Sequence, residues 1–484
     1  MLNAAIIPFA ILAVSCGVFY SLVCLGGSAP RKRALAHIPE LRFEKDNTPD
    51  RYRNDTRSLL RIGYEKYLQY GVPFQMYNPI GELGNQVILP MKYLDEVKRA
   101  PKSLFSFEVF SEKLFLLNYI NAPRQTNAAT HAIKFHLNRN LNNVMNGLWT
   151  EAEASLKKTI PSPGRQSIPG GDLACNILSP VMSYILVGPS LCRDPEWLDI
   201  AVETTFSVFD ASLDIRKKYT ANWRWLARWQ NGTAQRLGTI RKKALELIKP
   251  LYDERRQAIN ENDGRSDSGS EMFHDTIYWL LGQKRADTSL EAYHAEITAE
   301  INEALAEFKT SGSEWTLQRV ARMRKLDSFM KESIRMNPMA FITGQRYAVK
   351  SHTFKDGFNL PAGTMFHFAA DAVHHDPNKY PDPDKFDAYR FLRLREKVDP
   401  NQFHFAFVSD MNLNFGAGQH TCPGRFLAAV VLKFALILLI TRYEIKFSDG
   451  STQKPPNVFV DNTIRCKTTY KASYLRSNFC AWTR

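Results

Sequence analysis

The sequence predicts an α+β fold that is mainly α-helical and contains small β-sheets. Long helices are predicted where apolar residues recur at helical spacing among good helix formers. These stretches are residues 127–158, 194–212 and 233–261. A strongly apolar segment, Arg425–Thr441, predicts one more helix near the C-terminus. Strand signals are fewer: they occur at Gln86–Leu89, at Phe341–Val349 and in the C-terminal stretch.

Segments rich in proline, glycine or serine separate these elements. Pro161–Gly171 and Asn262–Ser270 are expected to be surface loops. Thr310–Ser313 precedes a helix that Glu314 or Thr316 is placed to cap, because both side chains carry an oxygen that accepts a hydrogen bond from the first turn.

Composition and charge narrow the class of protein. The chain has 484 residues, of which 44% are hydrophobic and 23% charged, the balance of a folded protein with a large core. Its net charge of +14 suits anionic lipid, an acidic protein partner or simply a basic solvated surface, and no nucleic-acid-binding motif is present. The seven cysteines are scattered and form no C-x-x-C pair, so neither a disulfide framework nor a zinc ribbon is indicated. A reducing compartment fits this pattern.

The N-terminus has the pattern of a membrane anchor. Residues 2–30 contain no charged side chain, and about 20 apolar residues suffice to cross a bilayer as a helix. The basic run Arg31-Lys32-Arg33 follows this segment, which predicts that the rest of the chain stays cytosolic. A cleaved secretory signal is the alternative, but a basic region before the apolar stretch is missing. The predicted organisation is an anchor at residues 1–30 and one large domain at residues 31–484.

One cysteine lies in a segment with a chemical pattern. Residues 415–424 read Phe-Gly-Ala-Gly-Gln-His-Thr-Cys-Pro-Gly. Gly416 and Gly418 are able to adopt positive φ, which lets backbone N–H groups approach a sulfur closely. Pro423 suits the first position of a helix, so Cys422 is expected at a helix N-terminus, where the dipole favours a thiolate. For a lone cysteine, the alternative is a buried structural residue in a glycine-rich turn.

The segment resembles the haem loop of the cytochrome P450 family, F-G-x-G-x-H-x-C-P-G, at all seven specified positions. Two further motifs of that family follow the expected order. Glu332-Ser-Ile-Arg335 is similar to its E-x-x-R, and residues 383–391, which include Arg390, are similar to its P-x-x-F-x-x-x-R-F. Each of these short motifs is weak alone, since Glu and Arg at i and i+3 pair on many helices.

The resemblance implies a cytochrome P450 fold that binds haem b, with the thiolate of Cys422 as the axial iron ligand. A thiolate in this position pushes electron density onto the iron and favours cleavage of the O–O bond. Phe415 is then expected to cover the proximal side, and His420 and Arg346 to bind propionates, although an exposed strand arginine is the alternative for Arg346. A structural network is expected from Glu332, Arg335 and Arg390. Phe341 and Ile342, within Pro338–Gly344, would line the substrate pocket or belong to the core.

One element of the family pattern is missing. The family carries a long distal helix whose acid and alcohol side chains relay protons, expected here between Trp279 and Glu332. That interval is several helical turns too short. Asp287 and Thr288 resemble the acid and alcohol, but Gln283-Lys284-Arg285 precede them where apolar residues belong. They are weak candidates, and a deletion joining Glu291–Tyr293 to a helix at Ala295–Phe308 is the favoured explanation.

The function implied by the resemblance is a haem-thiolate monooxygenase that oxidises a hydrophobic terpenoid, meroterpenoid or polyketide in fungal secondary metabolism. Electrons would come from NADPH through cytochrome P450 reductase. The implied location is the endoplasmic reticulum membrane, with a single-pass anchor and a cytosolic catalytic domain. The missing distal motif leaves two alternatives open: a haem-thiolate isomerase or dehydratase that needs no dioxygen, and a catalytically impaired remnant.

Overall fold

The structure is a computed structural model that describes most of the chain. The described residues are 34–78, 85–120, 122, 133–160, 166–261, 294–310, 314–447, 458–460, 463–465 and 471–476. They fall into two compact units. The first unit comprises Met1–Phe110 and Ile342–Ala369, and the second comprises Ser111–Phe341 and Ala370–Arg484. The predicted anchor at residues 1–30 and the loop Asn262–Ser270 lie outside the described residues.

The first unit is built on a mixed sheet of six strands in the order β1-β2-β3-β9-β6-β4. Its strands are Glu40–Leu41 (β1), Phe74–Met76 (β2), Gln86–Leu89 (β3), Phe105–Ser106 (β4), Thr343–Ala348 (β6) and Met365–Phe368 (β9). The strands β3 and β9 are completely buried, which explains why they read as short apolar runs without alternation. A two-stranded ribbon, His352–Thr353 (β7) with Asn359–Leu360 (β8), completes the unit.

Three α-helices lie between or directly after the strands of this sheet in the sequence. They are Pro49–Lys66 (α1), Leu94–Arg99 (α2) and Phe107–Phe115 (α3), the last of which begins in the first unit and ends in the second. Helix α1 starts where the sequence signals a start: Thr48 accepts a hydrogen bond from the backbone N–H of Arg51, and Pro49 occupies the first turn.

The second unit is mainly helical. Its helices are Asn138–Thr159 (α4), Gly170–Val187 (α5), Pro195–Lys218 (α6), Ala227–Gln230 (α7), Gly232–Glu261 (α8), His294–Thr310 (α9), Leu317–Arg322 (α10), Arg324–Met336 (α11), Ala370–His374 (α12), Arg390–Lys397 (α13) and Arg425–Arg442 (α14). A π-helical turn, Ile133–Leu137, precedes α4. Gln166–Pro169 (β5), Tyr443–Phe447 (β10) and Lys471–Arg476 (β13) form one sheet, and Val458–Val460 (β11) pairs with Thr463–Arg465 (β12).

A large apolar cluster forms most of the core of the second unit. It is formed mainly by α4, α5, α9, α11 and α14. Helix α14 buries Leu427, Val430, Val431, Phe434 and Leu438, among others, at the i, i+3, i+4 spacing of one helix face. Each such side chain contributes about 1.5–3 kcal/mol when fully buried. The cluster therefore fixes the helix that follows the cysteine segment.

Two helices in the described part of the chain are long and apolar enough to cross a membrane by composition alone: α5, and the stretch from Gly418 to Arg442 that contains α14. Both contribute buried residues to the core of the second unit. Packing therefore accounts for their apolar composition.

Most predicted elements are confirmed with shifted ends. The predicted helix 127–158 begins at Asn138, the one predicted at 194–212 continues to Lys218, and Thr316 caps α10 by accepting from the N–H of Arg319. Strand β3 has the predicted bounds, and the last helix runs one residue further, to Arg442.

The loop predicted at Pro161–Gly171 is wrong over the residues that the structure describes. Gln166–Pro169 is a strand that pairs antiparallel with β13, and Gly170 begins α5. Pairing with a segment about 300 residues away in the sequence overrides the local proline and glycine signal, since strand formation depends on its neighbours. Local patterns alone do not carry that information.

Candidate functional site

The backbone of the cysteine segment folds into a tight loop before α14. Gly416 and Gly418 have φ angles of 77° and 62°, a region that favours glycine. The N–H of Cys422 donates to the carbonyl oxygen of Phe415 at 2.7 Å, and the N–H of Thr421 donates to that of Gly418 at 3.1 Å. A Cβ atom on Gly416 would lie 3.1 Å from the carbonyl oxygen of His420. The positive φ predicted for both glycines is confirmed.

The start of α14 differs from the prediction. The helix begins at Arg425 with Gly424 as its N-cap residue, so Pro423 lies in the turn before the helix and not at its first position. The reason is the backbone of Gly424, whose φ of −86° and ψ of 8° are not helical and belong to the turn before the helix. The first helical hydrogen bond runs from the N–H of Ala428 to the carbonyl oxygen of Gly424 at 2.9 Å. Cys422 thus lies two residues before the N-cap residue.

The surroundings of the Cys422 thiol have two opposite effects on its pKa. Burial raises the pKa of Cys422, while the N–H groups of Gly424 and Arg425 and the guanidinium of Arg425 act to lower it. The sulfur is therefore short of water but provided with hydrogen-bond donors, a setting that suits a thiolate bound to a cation. Among the residues that the structure describes, no group of three His, Cys, Asp or Glu side chains is placed to hold a bare metal ion.

Other side chains of the loop lie on either side of the cysteine. Phe415 is half-buried, and its ring meets that of Phe405 edge-on at 5.4 Å. His420 is half-buried and ends the 3₁₀ turn Gly418–His420. On the helix side, Asn138 donates from Nδ2 to the carbonyl oxygen of Pro423 at 3.2 Å, which ties the loop to the first turn of α4.

The predicted charge network is present and buried. Glu332 and Arg335 have no exposed side-chain surface, and Arg390 has 8%. Arg335 binds both carboxylate oxygens of Glu332, at 2.8 and 2.9 Å, and Nε of Arg390 binds Oε1 at 3.1 Å. The N–H of Asp387 donates to the same oxygen at 3.2 Å. Both guanidinium groups also donate to backbone carbonyl oxygens, of His374 for Arg335 and of Pro381 for Arg390, so the network fixes the segment around residues 374–390 to α11.

Comparison with known proteins agrees with this geometry. The family model described as Cytochrome P450 matches residues 290–470. The pyrichalasin C-7 hydroxylase of Pyricularia grisea is 53% identical over an alignment that covers 99% of this chain and 100% of that protein. This chain belongs to the cytochrome P450 family. The cytochrome P450 monooxygenase ccsG of Aspergillus clavatus is 48% identical, covering 94% of this chain and 95% of that protein.

Solved structures show the same fold at low sequence identity. The retinoic acid bound cyanobacterial CYP120A1 has a TM-score of 0.60 at 16% identity and covers 91% of this chain and 99% of its own. The crystal structure of the cytochrome P450DA heme domain has a TM-score of 0.61 at 14% identity, with 91% and 98% covered. The predicted P450 fold is confirmed. The chain is a fungal cytochrome P450 monooxygenase of secondary metabolism that uses haem with thiolate ligation, a redox partner and a hydrophobic substrate.

Arg346 of this P450 lies in β6 of the first unit and is buried, with 4% of its surface exposed. The alternative of an exposed strand arginine is therefore wrong. Burial lowers the pKa of Arg346 to about 10. Its Nη1 donates to the carbonyl oxygen of Gln345 at 2.7 Å, and no ion pair is formed by this guanidinium within the described residues. The nearby carboxylate of Glu108 acts in the opposite direction on this pKa. A buried guanidinium has the chemistry to bind an anion such as a propionate.

The remaining predicted site residues divide in two groups. Phe341 and Ile342 are both buried, with 0% and 1% exposed surface. Asp287 and Thr288, the weak candidates for proton relay, lie outside the described residues. Of the interval from Trp279 to Glu332, in which the distal helix is expected, residues 294–310 and 314–332 are described. Helix α9, predicted at Ala295–Phe308, is present as His294–Thr310.

A second buried charge cluster was missed by sequence reasoning. Asp327 and Lys433 pair at 2.8 Å, and Arg395 lies 3.5 Å from the other oxygen of Asp327. Burial by itself raises the pKa of Asp327, but the ammonium of Lys433 holds it below its ordinary value. One turn further along α11, burial lowers the pKa of Lys331 to about 7. A signal was available: Lys433 is the only charged residue inside the apolar helix α14 between its terminal arginines, and a buried charge requires a partner.

Proposed function

We propose that this P450 hydroxylates a carbon atom of a hydrophobic scaffold related to pyrichalasin, with Cys422 as the iron ligand. The observation that carries the proposal is the Cys422 loop, where the N–H groups of Gly424 and Arg425 and the charge of the Arg425 guanidinium act on a half-buried cysteine. The named C-7 hydroxylase, 53% identical over nearly the whole chain, supports hydroxylation as the reaction type. Bound haem supplies the iron at which dioxygen is activated.

The chain's own residues have separate tasks in this proposal. The Cys422 thiolate donates electron density to the iron, and the N–H groups of Gly424 and Arg425 limit that donation by hydrogen bonding. Phe415 reduces access of water to the sulfur. Arg346 and His420 bind propionates, which is supported by the buried guanidinium of Arg346, since it forms no ion pair within the described residues.

The proton relay is proposed to depart from the family pattern. The alignment with the pyrichalasin C-7 hydroxylase spans 511 positions, whereas this chain has 484 residues, so at least 27 aligned positions have no residue here. That length amounts to about seven helical turns. It supports a deletion that joins Glu291–Tyr293 to the helix at Ala295–Phe308 and removes the distal helix, and Asp287 and Thr288 stay weak candidates for the relay.

Association with a membrane is proposed through residues 1–30, with residues 31–484 forming the cytosolic catalytic domain at the endoplasmic reticulum. A patch on the second unit supports contact with a bilayer. Trp223, Trp225 and Trp229 are 58%, 51% and 63% exposed, and Arg228 beside them is exposed as well. Exposed tryptophan next to basic side chains is typical of the membrane–water interface.

The electron donor is proposed to be NADPH–cytochrome P450 reductase, bound through acidic groups on its surface. Lys134 and Arg139 are exposed and flank Asn138, whose side chain binds the Cys422 loop at Pro423. A basic surface at the proximal loop would steer an acidic partner. Charge reversal at Arg139 should slow reduction at low salt and have little effect at high salt.

One experiment tests the proposed reaction. Microsomes that contain this P450 and the reductase are supplied with NADPH, isotopically labelled dioxygen and pyrichalasin precursors that lack the C-7 hydroxyl group. Incorporation of one labelled oxygen atom that requires NADPH, dioxygen and Cys422 supports the proposal. A product formed equally without dioxygen would contradict it and favour an isomerase or dehydratase.

A further inference from the structure

We propose that Asp327 and Lys433 act as a positioning pair that sets where α14 places its first N–H groups against the Cys422 sulfur. This inference rests on the proposed role of Cys422 as iron ligand. Neither residue belongs to the Glu332–Arg335–Arg390 network. Each is fixed by contacts of its own that lead to the two ends of the cysteine loop.

Lys433 fixes the helix that leaves the loop. It lies 11 residues after Cys422 and is 2% exposed. Its ammonium contacts Oδ1 of Asp327 at 2.8 Å and the carbonyl oxygens of Val320 at 2.9 Å and Met323 at 3.4 Å. An ammonium has three N–H donors, so these three partners use all of them. A shift of α14 by one residue, about 1.5 Å along its axis, would break these three contacts of Lys433.

Asp327 fixes the segment that enters the loop. Its second oxygen accepts from the N–H of Phe405 at 2.8 Å. The ring of Phe405 in turn meets the ring of Phe415, the first residue of the loop, at 5.4 Å. One carboxylate therefore connects both ends of the cysteine loop to α11.

Lys331 strengthens the same connection one turn further along α11. Its ammonium is 1% exposed and donates to the carbonyl oxygens of His404 and Phe407, both at 2.8 Å. The two residues flank Phe405, so the segment before the loop is bound on both sides of the Asp327 contact. In contrast, Glu332 binds Arg335, Asp387 and Arg390, none of which lies in α14. The two clusters of α11 thus serve different segments.

The consequence concerns the metal ligand. The N–H groups of Gly424 and Arg425 face the sulfur, and their distance from it depends on the axial position of α14. Residues behind a metal ligand change metal affinity or activity by about 10–100-fold when they are replaced. Loss of the pair is expected to let α14 shift along its axis and to move these N–H groups away from the sulfur.

The test compares three variants as full-length holoprotein. Asp327→Asn leaves Lys433 without its counter-charge, and Asp327→Asn/Lys433→Met removes both charges at similar volume. The control is Glu151→Gln, because Glu151 is also buried and binds Arg193 through two hydrogen bonds of 2.8 and 2.7 Å. Two readouts are taken well below the unfolding midpoint: the ratio of thiolate to thiol ligation in the spectrum of the reduced carbonyl complex, and amide exchange at residues 424–427.

If the pair positions α14, both Asp327 variants should raise the fraction of thiol-ligated haem several-fold. They should also speed amide exchange at residues 424–427 about tenfold. Glu151→Gln should lower the unfolding midpoint and leave both readouts unchanged. Wild-type ratios and exchange in the double variant would overturn the proposal even if Asp327→Asn alone fails to fold, and so would an equal change in Glu151→Gln. If the wild-type protein shows no thiolate signature, the role of Cys422 fails instead, and amide exchange still tests the positioning.

Discussion

Arg335 donates two hydrogen bonds to the carboxylate of Glu332, from Nε to Oε2 at 2.8 Å and from Nη2 to Oε1 at 2.9 Å. Both side chains are fully buried. Arg390 adds a third bond to the same carboxylate. The carboxylate has two cationic partners, so its removal leaves two buried guanidinium groups with no counter-charge. The pair therefore stabilises the second unit.

Replacing Glu332 by Gln is expected to lower the free energy of unfolding by about 3–5 kcal/mol, because both arginines lose their charge partner in a dry site. The matched control is Glu196→Gln, since Glu196 pairs with Lys243 at 3.4 Å on the surface, and such pairs contribute up to about 1 kcal/mol. Urea unfolding followed by circular dichroism measures both. Similar losses in the two variants would show that the buried network is not special.

Gly416→Ala tests the turn geometry of the cysteine loop. Its φ of 77° is unfavourable for alanine, by about 1–2 kcal/mol, and the new Cβ would lie 3.1 Å from the carbonyl oxygen of His420. We expect faster loss of haem to apomyoglobin. Gly424→Ala is the control, because a Cβ there meets no atom within 4 Å and its φ is −86°. Equal rates of haem loss in both variants would contradict the assigned role of the turn.

Acid should destabilise this protein through buried histidines. Burial lowers the pKa of His367 and of His374 to about 3, from an ordinary value of about 6.5. Between these values the unfolded chain binds protons that the folded chain does not, so the contribution of these two histidines to stability is constant above pH 6.5 and falls as the pH drops below it. The expected slope is about 1.4 kcal/mol per pH unit for each histidine.

The variant His367→Phe isolates one of these contributions. It should flatten the decline in unfolding free energy between about pH 6 and 4, because one proton fewer is taken up on unfolding. His37→Gln, at an exposed position, should leave the decline as in the wild type. Denaturant unfolding at several pH values gives the slopes, and an unchanged slope in His367→Phe would refute the assignment.

Membrane binding is expected to depend on two segments. Deleting residues 1–30 should move most of the protein from the membrane pellet to the soluble fraction. Replacing Trp223, Trp225 and Trp229 by Ser in the truncated protein should reduce its remaining binding to phosphatidylcholine–phosphatidylserine vesicles in flotation assays, since interfacial aromatic rings are lost. Unchanged partitioning after the deletion would show that the anchor lies elsewhere. Unchanged flotation would show that the three tryptophans do not contribute to membrane binding.

The residues that carry local patterns were the ones predictable from sequence. The Cys422 loop, Glu332, Arg335 and Arg390 could be named because their spacing is fixed within short motifs, and helix α14 because its apolar face is continuous. Asp327 and Lys433 were missed, since 106 positions separate them and no short pattern joins them. Strand β5 was missed for the same reason: its partner β13 lies far along the chain. Long-range pairing is decided by packing, which local spacing does not reveal.

The central claim is that the sulfur of Cys422 binds the haem iron. Its most direct test is the absorption spectrum of the reduced carbonyl complex of full-length Cys422→Ala, beside that of Cys175→Ala, which removes another free thiol. The thiolate-type Soret band should disappear in Cys422→Ala and stay in Cys175→Ala. A thiolate-type band of wild-type intensity in Cys422→Ala would contradict the account.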